Sequence, residues 1–166
     1  MTAGRILNPV TPLLAIGPAP LSIEALASAV SEPGDGAIVT FVGIVRAHNL
    51  GRSVRYLEYE AYEPLALKTF GVIATEATGR WSGVRLALHH RIGRLEIGEA
   101  SVAIAAASAH RPDAFAATRY AIERVKQIAP IWKREFFDGG DTWIEGATAD
   151  PDDERARAEA ERIACA

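Results

Sequence analysis

A single cysteine, Cys165, stands in a chain of 166 residues. One thiol cannot form an intrachain disulfide, so nothing in the chain asks for an oxidising compartment. Its place next to the end also suits a nucleophile poorly, because terminal residues fray. No apolar run approaches the ~20 residues of a membrane span. The first residues lack the charged-then-apolar layout of a signal peptide. These absences predict a cytoplasmic protein with no membrane partner. No serine lies in a G-x-S-x-G elbow, so an acyl-transfer triad has little support. His89 and His90 are adjacent, and on a strand they would point to opposite faces. His48 and His110 lie far away in sequence, so no metal site and no cofactor are expected. Glu58 and Glu60 would share a strand face as an acid–base pair. An outer face paired with neighbouring arginines accounts for them more simply.

What is present is a globular composition of 49% hydrophobic and 23% charged residues, long enough for one domain with a real core. The net charge of −3 resides in the tail, where residues 150–166 hold six acids against three bases. The body is neutral, but His110–Arg134 carries six bases against two acids. A small anion suits that patch better than a nucleic acid, which draws a more widely basic surface. Solvated helix charges would give the same count.

The pattern along the chain predicts an α+β fold. Residues 1–20, with four prolines, read as an extended lead-in with an edge strand near Leu13–Ile16. Ser22 is a candidate N-cap for a helix over Ile23–Val30. Gly36–Arg46 reads as a buried strand and Val54–Tyr62 as an alternating one, the two forming a hairpin. Pro64 opens a helix to about Trp81. Strands follow at Val84–Gly93 and Ala100–Ser108. Pro112 opens another helix, with Phe115, Thr118, Ile122 and Val125 on its apolar stripe. "IWKREFF" and "DTWIE" read as strands joined by "DGGD". Residues 21–149 are expected to form one catalytic domain, and residues 150–166 an exposed acidic helix or tail.

The basic residues remain as candidates for chemistry. His110 and Arg111 precede a helix whose N-terminal amides favour an anion. Arg46 ends a long strand. Lys126 lies at the edge of the apolar stripe, where partial burial among cations would lower its pKa. Lys133 follows seven residues later, beyond Pro130. A helix broken at Pro130 and folded back as a strand permits both ammonium groups to face one pocket.

Several stretches then fall in register with a known family. They are "DGAIVTFVGIVRAHNLG" (Asp35–Gly51), "LEYEAYEPLA" (Leu57–Ala66), "HRIGRLEIGEASV" (His90–Val102), "SAHRPDAF" (Ser108–Phe115), "KQIAPIWKRE" (Lys126–Glu135) and "GDTWIEG" (Gly140–Gly146). Together they resemble the large, catalytic subunits of molybdopterin synthase across nearly all of residues 35–146. The resemblance implies an α/β hammerhead-like fold with an additional antiparallel β-sheet. It implies a sulfurtransferase that converts cyclic pyranopterin monophosphate to molybdopterin. The two sulfurs would come from the C-terminal glycine thiocarboxylate of a small ubiquitin-like carrier. The implied assembly is a heterotetramer around a homodimer of catalytic subunits. The family's catalytic lysines fall on Lys126 and Lys133. Its substrate contacts fall on Arg46, His110 and Arg111, with Arg134 and Glu135 beside Lys133, and Phe41 lines the site. Two positions depart from the pattern. Ile44 stands where relatives often carry a lysine, so one anion contact is expected to be missing or supplied elsewhere, and Ala147 stands where some relatives carry an arginine. The competing readings are a module that binds a ubiquitin-like tail without catalysis, and a phosphate-ester hydrolase acting without any carrier.

Overall fold

The computed structural model describes residues 11–144 and 146–166. Residues 1–10 of the expected lead-in lie outside the described residues.

The central strand is β7 (Ala100–Ser108), buried along nearly its whole length. It pairs antiparallel with β5 (Arg85–Arg91) and with β2 (Ala37–Ile44), while β1 (Leu14–Gly17) runs parallel to β5 at the edge. Alternation along β7 feeds two cores. Val102, Ile104 and Ala106 join Leu86 and Leu88 beneath α2 (Glu63–Arg80) and α3 (Arg111–Ile128). Ala103, Ala105 and Ala107 join Ala87 beneath α1 (Ile23–Val30), whose Leu26 and Val30 fill the gap. The alanines on that face leave room for α1 to lie close. Ser22 caps α1 as expected, accepting a hydrogen bond from the Ala25 amide at 3.2 Å.

A second sheet holds β3 (His48–Asn49), β4 (Arg52–Ala61), β8 (Ile131–Phe137) and β9 (Gly140–Ile144) in that order. Strand β6 (Gly93–Glu96) pairs with β4 on the edge away from β8. The architecture is thus α+β with an additional antiparallel sheet.

Three local expectations need correction. Strands β2 and β4 form no hairpin with each other. Strand β2 pairs instead with β7, which sets Phe41 against the core that β7 feeds. The tight hairpin is β3–β4, turning through Leu50 (φ 48°) and Gly51 (φ 76°), the left-handed pair a primed turn requires. Phe115 is exposed, because the buried face of α3 is made by Ala114, Ala117 and Ala121 instead. The acidic tail forms the expected helix, α4 (Glu154–Ala164), capped by Asp153, but one face of it is docked and not exposed. Its Ala160 is fully buried, and the Gln127 side chain donates to the Ala156 carbonyl at 2.9 Å.

Candidate functional site

Helix α3 ends where the sequence places its break. The Ala129 amide closes the last turn on the Val125 carbonyl at 3.0 Å, and β8 begins at Ile131, one residue past Pro130. Lys126 occupies the last helical turn, and Lys133 the third position of the strand. Both line one cleft of about 780 Å³, together with Phe41 and Arg46. Ile44 and Ala147, the two departing positions, line it too. Gly43 lies in the same wall, where a Cβ would stand 2.6 Å from Val102 Cγ1, so glycine lets β2 lie close against the Val102 side chain.

The partial burial expected of Lys126 belongs to Lys133. Lys126 is exposed, whereas the side chain of Lys133 turns into the half-buried face of the second sheet. Burial lowers the Lys133 pKa; Glu135 opposes this, and the positive charges of Lys126 and Arg46 reinforce it. Glu135, two positions along the same strand face, is almost fully buried. It accepts hydrogen bonds from Asn49 Nδ2 at 2.8 Å and Arg52 Nη2 at 3.2 Å. It sits in a small recess that shares Arg46 and Lys133 with the main cleft.

Three expected contacts do not reach the cleft in the single chain. Arg134 follows Lys133 directly, so strand alternation sends it to the opposite sheet face. There Nε donates to Asp141 at 2.9 Å, and the guanidinium lies over the Phe136 and Trp143 rings at 5.1 and 5.6 Å. His110 and Arg111 stand exposed at the start of α3, while Lys126 is in its last turn. Fifteen helical residues separate Arg111 from Lys126, about 22 Å along the axis. Arg124, counted in the basic patch, is buried against Glu76 and contributes no surface charge.

The structure adds two site residues that sequence reasoning passed over. Tyr59 lies opposite Lys133 in the β4–β8 register and lines the cleft; burial raises its pKa. His90 is buried in the same wall, its ring edge-on to Tyr59 at 5.1 Å. Its Nδ1 is 2.7 Å from the Arg91 carbonyl, and burial pulls its pKa down to about 4. The alternation of β4 was the available signal for Tyr59, since it places that residue on the face of Leu57. For His90 the sequence offers no comparable signal, since its burial beside the cleft comes from the sheet packing.

A family model described as "MoaE protein" matches residues 16–128. The chain belongs to that family. Among MoaE relatives, the molybdopterin synthase catalytic subunit of Bacillus subtilis is 47% identical over 125 residues, covering 75% of this chain and 80% of the relative. The crystal structure of molybdopterin synthase from Staphylococcus aureus superposes with a TM-score of 0.79 at 40% identity, covering 81% of this chain and 98% of that one. A complex of subunits 1 and 2 of the molybdopterin-converting factor from Helicobacter pylori gives a TM-score of 0.67 at 28% identity, covering 81% and 91%. Among the described residues no helix is long and apolar enough to cross a membrane.

Chemically, the cleft offers two ammonium groups and a guanidinium around an open floor. Such a set holds an anion and stabilises negative charge that develops in a reaction. Burial makes Lys133 easier to deprotonate than an ordinary lysine, which suits proton transfer or nucleophilic attack.

Proposed function

We propose that this chain is the catalytic subunit of a molybdopterin synthase, with Lys126 and Lys133 as its catalytic pair. The observation that carries the reading is their meeting with Arg46 in one cleft from opposite sides of Pro130. The substrates are cyclic pyranopterin monophosphate and a ubiquitin-like carrier ending in a glycine thiocarboxylate. With its one thiol exposed at Cys165, the chain needs its sulfur delivered.

The thiocarboxylate sulfur adds to a carbonyl carbon of the pterin side chain: a carbon–sulfur bond forms as the carbon–oxygen π bond opens, and that oxygen, protonated by a lysine ammonium, later leaves as water. The acyl–sulfur bond then breaks, with water or Lys133 taking the acyl group, and the sulfur stays on the pterin. Lys126 and Arg46 hold the substrate anion, and Phe41 packs beside it. Glu135 balances the charge of Lys133. His110 and Arg111 enter a cleft from a second copy, as the homodimer within a heterotetramer would allow. Residues 21–149 carry the catalytic domain, residues 150–166 brace it, and the protein works in the cytoplasm.

The test supplies purified chain with thiocarboxylated carrier and cyclic pterin and measures dithiolene formation. Lys133→Ala should nearly abolish conversion while the fold, read by circular dichroism, is kept. Full activity in that variant would overturn the assignment. Carrier binding without dithiolene formation by the unaltered chain would favour a mere binding module.

A further inference from the structure

His90 is only 6% exposed, yet it borders the cleft. Its Nδ1 faces a carbonyl, which only accepts, so Nδ1 carries the proton and Nε2 keeps its lone pair. Among the described residues Nε2 has no protein partner. The sealed side-chain nitrogens lacking a partner are Arg52 Nε and Arg91 Nε, so Nε2 opens on the cleft. The edge contact with Tyr59 and the bond to Arg91 together fix the ring plane. Burial keeps the imidazole uncharged at neutral pH.

The neighbouring cations Arg46, Lys126 and Lys133 are donors only. A phosphate or thiocarboxylate matches them and offers nothing to a lone pair. An uncharged acceptor in the wall therefore asks for a different part of the ligand, one bearing N–H. Resting on the molybdopterin synthase reading, we propose that His90 positions the substrate's pterin ring, with Nε2 accepting a hydrogen bond from a ring N–H while the cations hold the phosphate. His90 is then a specificity residue for the ring; an N–H of the carrier's peptide tail is the competing donor that the two KM values separate.

The experiment measures KM for the cyclic pterin and for the carrier separately. His90→Phe keeps a ring against Tyr59 and removes the acceptor. It should raise the pterin KM about tenfold or more and leave the carrier KM within about twofold. His90→Gln, which returns an acceptor near the Nε2 position, should recover most of the loss. An unchanged pterin KM in His90→Phe, or an equal rise in both KM values, would overturn the proposal. Nitrogen-15 NMR of the unaltered chain decides the matter if the variants fail to fold. Adding a phosphate-free reduced pterin at pH 7 should shift the His90 Nε2 resonance and leave Nδ1 protonated. A His90 ring doubly protonated at pH 7, or an Nε2 signal indifferent to the pterin, would sink it. A chain that binds the pterin through Nε2 but forms no dithiolene supports this proposal while refuting the catalytic one.

Discussion

Arg124 grips Glu76 through two bonds of 2.8 Å, Nε to Oε2 and Nη2 to Oε1, two residues before Lys126. The guanidinium also donates to Gln127 Oε1 at 3.0 Å and to the Pro151 carbonyl at 3.1 Å, and the Tyr120 hydroxyl donates to Glu76 at 2.9 Å. One buried cation therefore ties α2, α3 and the C-terminal segment together. Arg124→Leu leaves the Glu76 carboxylate largely buried without its partner, at a cost of about 3–5 kcal/mol. Urea denaturation should register that loss, and a second change, Glu76→Leu, should recover most of it. A single-variant loss below about 1 kcal/mol would show that Glu76 reaches water instead.

Lys133 should lose its proton at lower pH than an ordinary lysine, because burial and the charges of Lys126 and Arg46 disfavour the ammonium. Carbon-13 NMR of labelled lysines would follow it directly. Lys126→Met removes a like charge, so the Lys133 pKa should rise. Glu135→Gln removes the compensating negative charge, so it should fall. The depressed pKa also means that the unfolded chain binds more protons, so folding gains stability as pH climbs between the folded and unfolded values. A Lys133 that titrates like its exposed neighbours would contradict the burial.

Ile44 and Ala147 leave two cleft positions without charge. Ile44→Lys or Ala147→Arg adds a cation facing the substrate anion. Each should lower the KM for the phosphate-bearing pterin roughly three- to tenfold at low ionic strength. The gain should shrink in added salt, since partly exposed charges are screened. A gain that ignores salt would point to packing in place of charge.

His90 should make the fold acid-sensitive. Its ring titrates at about 4 in the folded chain and near 6.5 when unfolded. The depressed value means a contribution fully present above pH ~6.5 and lost as pH falls through the folded value, about 3 kcal/mol in all. Comparing the denaturation midpoints of the unaltered chain and His90→Phe between pH 7 and pH 4 isolates it. Parallel curves would show that some other group governs acid unfolding.

The lysine pair was legible because local rules govern it. Pro130 must end a helix, and β-branched and aromatic residues after it must extend. Alternation along one strand is also legible: it puts Arg134 on the face opposite Lys133, whatever its adjacency in sequence suggests. The partner of β2 was not legible. Its choice between β4 and β7 depends on which apolar face waits across the sheet, some sixty residues further along the chain. Arg124 misled for a related reason. A helical arginine looks the same in sequence whether it meets water or Glu76, and Glu76 lies on another helix. His110 and Arg111 were grouped with Lys126 because one helix carries all three, yet the length of that helix is what holds them apart.

The junction at Pro130 has a mechanical consequence. Lys126 is fixed to a helix, Lys133 to a sheet, and between the two bodies lies a pivot of two residues. The proline locks one torsion there, and the Ile131 amide bonded to the Ala129 carbonyl at 2.8 Å restrains the rest. The cleft then has no soft hinge along this edge. The spacing of the two lysine backbones is set by the joint, and only the flexible side chains adjust to whatever enters.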